Sequence, residues 1–179
     1  MGVSDEYVNK AKAELGDLAD AGVVMSGNAF SPVLLAKGEL TPEEAAGAKP
    51  FSGPDGAALK ASLKALGYAP EDWETLVAVD AAGAPLAPDL MRLAVATLDP
   101  ATLICCDETA TQVVRDAYAE ELSGLEDLNE ALLPAGMVAY VCGMRFLNLG
   151  GFAAALGDPR QKQVMWARLK QVPPLAEPY

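Results

Sequence analysis

The sequence predicts an α/β protein: a three-layer α/β/α sandwich around a central, mostly parallel four-stranded sheet. Short apolar runs bounded by turn residues recur at 33–37, 75–79 and 102–106. Stretches with apolar positions three and four apart lie between them, and a last bipartite apolar run spans 137–147. Strands that alternate with helices of ten or more residues pack in parallel, with helices on both faces. The chain of 179 residues shows no repeat, low-complexity block or linker, so one domain with a sizeable core is expected.

Each element has its own signal. Val8, Ala11, Leu15 and Leu18 stand at helical offsets, predicting an amphipathic helix over about 5–18. Gly22 to Pro32, with Ser26, Gly27, Asn28 and Ser31, is punctuated like a loop. Val33-Leu34-Leu35-Ala36-Lys37, ending at Gly38, has the length and flanks of a buried strand. At Thr41-Pro42-Glu43-Glu44 a helix starts, since Thr41 can cap, Pro42 suits the first helical position and Glu44 completes a capping box. Gly47 stops it. Ser52-Gly53-Pro54-Asp55 is a second start, leading into Ala58, Leu59, Leu63 and Leu66 and ending at Gly67.

Thr75 to Val79 is the second expected strand, and Pro88 to Leu98 a helix with Leu90, Leu93, Ala94 and Leu98 on one side. Thr102 to Cys106 is the third strand, after which Asp107 caps a helix running towards Tyr118. Met137 to Val141, then Gly143, then Met144 to Leu147 predicts a hairpin or a bent final strand. Asp158-Pro159-Arg160-Gln161 is a strong helix start, continued by Val164, Met165 and Leu169 to about Gln171. The prolines at 173, 174 and 178 mark an irregular tail from about 172.

Composition restricts function. With 25 acidic and 13 basic residues the formal charge is −12, whereas phosphate neutralisation by a basic surface supplies most nucleic-acid affinity. The nearest basic cluster, Arg160, Lys162, Arg168 and Lys170, reads as a solvated helix face. There is no histidine, which removes the commonest general base and zinc ligand. Cys105, Cys106 and Cys142 are odd in number and lack a CxxC spacing, so neither a disulfide framework nor a metal cluster is expected, and no cofactor is implied. Cys105 and Cys106 read as buried inert thiols on a strand. No apolar run approaches the ~18 residues of a membrane span, and the first residues lack the pattern of a signal peptide. A cytoplasmic protein without membrane contact is the expectation.

Three blocks carry a family resemblance. The first is Lys37-Gly38-Glu39-Leu40-Thr41-Pro42-Glu43-Glu44, Gly47, Pro50-Phe51-Ser52-Gly53-Pro54-Asp55-Gly56 and the leucine-rich stretch from Leu63 to Gly67. The second is Asp99-Pro100-Ala101-Thr102-Leu103-Ile104, running into a helix with Ala110. The third is Asn148-Leu149-Gly150-Gly151-Phe152-Ala153-Ala154-Ala155-Leu156-Gly157-Asp158-Pro159, then Lys162 and Trp166. In this order, over roughly 33–171, they resemble the uracil-DNA glycosylase superfamily, most closely its thermostable bacterial type.

The resemblance implies a glycosidic cleavage that flips a base from the duplex, stacks it on an aromatic ring, reads its edge with an amide and stabilises the departing oxygen with a donor. It places Phe51 at the stacking aromatic, Glu39 near the catalytic carboxylate, and Gly53 in the turn beside them. The same alignment puts the family's histidine donor on Gly151, and the base-reading asparagine that follows a threonine falls on Leu76. The family's four cluster cysteines are missing. Phe51 also fits a core residue beside a turn, Glu39 an ordinary exposed carboxylate, and Asn28 either a pocket group or a turn former. Losing an oxyanion donor costs ~10²–10³ in rate, and losing the base-reading amide removes discrimination.

Three functional readings follow. The first is a divergent family member without uracil excision that serves a small ligand or a protein partner. The second is an active glycosylase on an unusual deaminated base, using Glu39 and Phe51; nucleic acid is disfavoured by charge and allowed by the family. The third is a structural homo-oligomer whose contact surface would be the apolar stretch Gly150 to Leu156, were it exposed.

Overall fold

The computed structural model describes residues 3–173. The chain opens with α1 (Val3–Asp20), β1 (Met25–Gly27), β2 (Val33–Lys37), α2 (Pro42–Ala45) and α3 (Pro54–Ala65). A 3₁₀ turn (Pro70–Asp72) leads into β3 (Trp73–Val77), followed by α4 (Pro88–Leu98), β4 (Thr102–Cys105) and α5 (Glu108–Ala117). The short helices α6 (Ala119–Ser123) and α7 (Leu128–Leu132) precede the hairpin β5 (Val138–Val141) and β6 (Met144–Asn148). The last described elements are α8 (Phe152–Ala155) and α9 (Pro159–Leu169).

The α/β class is as expected, but the mixed sheet has six strands rather than four, in the order β1-β3-β2-β4-β6-β5. The inner strands β3, β2, β4 and β6 run parallel, and β1 and β5 pair antiparallel at the two edges. The two edge strands differ: β1 lies in the Gly22 to Pro32 stretch expected as a loop, whereas β5 and β6 form a hairpin, as expected over 137–147. β1 is three residues long and only partly buried, so it carries no apolar run. β5 is separated from β6 by Cys142 and Gly143, both at positive φ (51° and 77°), the backbone of a tight two-residue hairpin turn. Strand β3 begins two residues before its expected start because Trp73 and Glu74 pair with Val33 and Leu34. Val79 lies beyond the strand, in an isolated bridge to Pro85.

Side-chain alternation along the buried strands divides the interior into two cores. Leu34, Ala36, Leu76, Leu103 and Phe146 point to one side, against Leu18 of α1, Met91 and Val95 of α4 and Val114 of α5. Val33, Leu35, Ile104 and Leu147 point to the other, against Leu59 and Leu63 of α3, Phe152 of α8 and Met165 of α9. Helices therefore cover both faces. Cys105 and Cys106 are buried and follow the same alternation, one in each core.

The expected caps form as hydrogen bonds. Thr41 and Glu44 make a capping box, and the Asp107 and Asp158 side chains accept from Ala110 N and Arg160 N. Helix α1 extends past both expected ends, and Val8, one of its four expected apolar positions, has its side chain outside the described residues. The tail expected from 172 lies outside them from 174 onward. Among the described residues no helix is long and apolar enough to cross a membrane.

Candidate functional site

In a doubly wound sheet the crevice forms beyond the carboxyl ends of the strands, where the chain order reverses. Here that point lies between β2 and β4, since the crossover from β2 reaches β3 on one side and the later strands lie on the other. A small cleft of about 60 Å³ opens there, lined by Lys37 and Glu39 after β2, Asp55 of α3, Cys106 and Asp107 after β4, and Gly151 to Ala154. That is room for a few waters, well short of the ~300–1,000 Å³ of ordinary small-molecule pockets.

Lys37 ends an otherwise apolar strand on the Val33 and Leu35 face, so its side chain runs into the second core. Only 3% of the residue is exposed. Its ammonium donates to Asp55 Oδ2 at 2.6 Å and to Glu44 Oε1 at 2.8 Å, and lies 4.9 Å from the centroid of the Phe51 ring. Burial works to lower the Lys37 pKa, but the bonds and charges of Asp55 and Glu44 outweigh it and hold the group above the ordinary lysine value. Burial likewise favours a protonated Glu44. The Lys37 ammonium and the N–H groups of Thr41 and Phe51 reverse this and hold Glu44 below the usual carboxylate range. The ammonium is thus fixed in its charged form, which rules it out as nucleophile or base.

Asp107 does more than cap α5. Its carboxylate accepts from Ala110 N at 2.8 Å, from Gly38 N at 2.9 and 3.1 Å, and from Glu39 N at 2.9 Å, tying the loop after β2 to the start of α5. Gly38 makes this approach possible, because a Cβ there would lie 2.5 Å from Thr109 Cγ2. The Cys106 thiol is pushed well above its ordinary value by burial and then by the nearby Asp107 charge, so it stays protonated.

The residues singled out from the sequence do not all meet here. Glu39 and Gly151 do: both line the cleft and are exposed. Glu39 makes no side-chain hydrogen bond or ion pair among the described residues. Phe51 is 1% exposed, at φ +62°, with its ring in the second core and Lys37 over one face. Gly53 is the N-cap of α3, and a Cβ there would meet only Asp55 Oδ1 at 3.5 Å, so it is Gly56 that needs to be glycine: a Cβ there would fall 1.7 Å from the Phe51 carbonyl oxygen. Asn28 stands at the other end of the sheet, where Nδ2 donates to Glu71 O at 2.7 Å just before β3; it builds a turn and does not reach the cleft. Leu76 is fully buried in the first core, on the face of the sheet opposite Phe51.

Lys37, Asp55 and Asp107 were not singled out as site residues. Their one sequence signal is a lysine closing an apolar strand and acids at helix starts, which ordinary surfaces also supply. The Gly150–Leu156 stretch, expected to be a contact surface were it exposed, buries Phe152 and Ala155 and exposes Gly151, Ala153 and Ala154. Among the described residues no group of three or more histidine, cysteine, aspartate or glutamate side chains is placed to hold a metal ion. No family model matches this chain, and no curated protein gives a significant match.

Proposed function

We propose that this chain is a divergent relative of the uracil-DNA glycosylase superfamily that keeps a base-excision frame without base-excision chemistry and serves a ligand-binding or interaction role. The observation that carries the reading is the state of the cleft at the switch point. Lys37, Asp55, Asp107 and Cys106 are each committed to internal bonds or held in an unreactive form, and Gly151 offers no side chain. Only Glu39 is left unengaged, and one carboxylate in about 60 Å³ supplies neither a base-reading edge nor a donor for a departing anion.

The frame itself is supported by the turn at 51–56, where Gly56 admits the Phe51 carbonyl into the first turn of α3. A ligand has more room next door. A second cleft of about 480 Å³, lined by Leu40, Pro50, Val77 and Val79 among others, lies against the 40–50 loop.

Single- and double-stranded oligonucleotides carrying uracil, hypoxanthine or xanthine test the reading. Incubation followed by alkaline cleavage should yield no strand breaks at the modified site. Release of any of these bases, abolished by Glu39→Gln, would replace it with an active glycosylase that works without histidine.

A further inference from the structure

A larger cleft lies at the opposite end of the sheet, beside the amino end of β3. It has about 690 Å³ of space and is lined by Lys49, Lys60, Lys64, Tyr68, Pro70 and Trp73 together with small residues. Its volume falls within the range of ligand pockets. Three of the chain's thirteen basic residues meet here, and none of the described residues lining it is acidic. Lys60 and Lys64 stand one helical turn apart on α3, so their side chains leave the same face. All three lysines are exposed, and none makes an ion pair or a side-chain hydrogen bond among the described residues.

The wall is different in kind. Trp73 and Tyr68 are held by the second core and present only 7% and 6% of their surfaces, and Tyr68 Oη donates to Pro173 O at 2.5 Å, which fixes its ring. A rigid apolar wall faces three ammonium groups without an ion pair among the described residues, an unusual feature on a protein of charge −12, although the Lys49 charge also acts on the buried Glu74.

We propose that this cleft binds a compact phosphate ester of a ring compound, such as a mononucleotide, with its phosphate on Lys49, Lys60 and Lys64 and its ring against Pro70 and Trp73. Lysine acts towards phosphate as a point charge, and several ammonium groups match a dianion. Size is decided by the rest of the surface. At physiological salt the lysines act over about 8 Å, so they attract an anion that fits inside the cleft. A polymer extending beyond it meets the acidic surface and gains no long basic track. Apolar contact with Pro70 and the exposed part of Trp73 then separates a phosphate ester from free phosphate.

The test uses the Trp166→Phe variant, which leaves Trp73 as the only tryptophan. Its fluorescence is titrated with phenyl phosphate, adenosine monophosphate, inorganic phosphate, adenosine and a 20-nucleotide single strand, with calorimetry on the unmodified chain as a second readout. Saturable binding of the two phosphate esters is expected, at least tenfold tighter than phosphate or adenosine and weakening with salt. Lys60→Ala with Lys64→Ala should weaken it tenfold or more with the thermal midpoint unchanged, and adding Lys49→Ala should abolish it. No saturable response to either ester, equal affinity for adenosine, or indifference to the triple substitution overturns the proposal. Tighter binding of the 20-mer than of the mononucleotide also overturns it, in favour of a nucleic-acid strand.

Discussion

Lys37 and Asp55 meet through a 2.6 Å ion pair inside the molecule, joining the end of β2 to the first turn of α3. Glu44 shares the same ammonium at 2.8 Å and spends its second oxygen on Phe51 N, also at 2.8 Å. One buried cation thus organises the capping box, the left-handed turn at Phe51 and the start of α3. Removing one member leaves uncompensated buried charge, which typically costs about 3–5 kcal/mol. Lys37→Met should therefore destabilise the chain by about that amount in chemical denaturation. The triple change Lys37→Met, Glu44→Gln, Asp55→Asn should recover part of the loss, because no buried charge remains. Equal loss in both would show that the bonds matter and the charge does not.

Glu74 presents the opposite situation. It is 4% exposed on β3, and its Oε2 has no hydrogen-bond partner among the described residues. Burial, partly opposed by the Lys49 charge, pushes its pKa up to about 7. A folded value above the unfolded one means that the native state binds the extra proton between about pH 4.5 and 7. Stability from this group is complete below pH 4.5, falls as pH rises through 7, and stays low above it. Glu44, whose pKa is lowered, behaves in reverse and withdraws stability only as pH falls below the ordinary carboxylate value. Glu74→Gln should flatten the decline between pH 5 and 8 and raise stability at pH 8 by about 1–3 kcal/mol. Thermal midpoints at the two pH values check this, and an unchanged slope would exclude Glu74 as its source.

Glycines 53 and 56 separate a conformational preference from a steric requirement. A Cβ on Gly56 would sit 1.7 Å from the Phe51 carbonyl oxygen, whereas one on Gly53 meets nothing closer than 3.5 Å. Gly56→Ala must push α3 off the turn and should cost about 3 kcal/mol or more. Gly53→Ala, at φ −91°, should stay within about 1 kcal/mol of the parent. Urea midpoints of the two variants decide it, and comparable losses would refute the close-approach argument.

How much of this was legible in the sequence depends on whether the cause is local. Caps are local, so Thr41, Glu44, Asp107 and Asp158 announced their helices. Buried parallel strands are apolar on both faces, so 33–37 and 102–106 stood out, the second one residue longer than β4. Strand β1 did not, because its place is set by pairing Ser26 with Thr75, 49 residues away, and not by its own residues. The site was less legible still. Its only unengaged carboxylate, Glu39, came from a motif, but the engagement of the cleft's other polar groups lies in long-range pairing. Lys37 meets Asp55 across a helix start, and Asp107 accepts from amides 68 and 69 residues earlier. A spacing pattern does not carry those bonds.

Gly151 offers the most direct probe of what the cleft lacks. It stands at the rim as the N-cap of α8 at φ −71° and ψ 80°, and a Cβ there would meet nothing closer than Ala154 Cβ at 4.0 Å. Nothing in the packing therefore requires glycine. Gly151→His should fold with a stability change of about 0.5 kcal/mol or less, as exposed substitutions away from special backbone positions do. If the proposed kinship held and a missing donor were all that separated the cleft from base excision, this histidine would produce base release. The geometry gives two reasons why it should not: the cleft holds about 60 Å³, and Leu76, fully buried on the opposite face of the sheet, presents no amide to a base. The expected result is a folded variant that still leaves uracil-containing strands intact after prolonged incubation. Strand breaks from Gly151→His and none from the parent would show that the cleft opens to admit a base and that one side chain separates this protein from an enzyme.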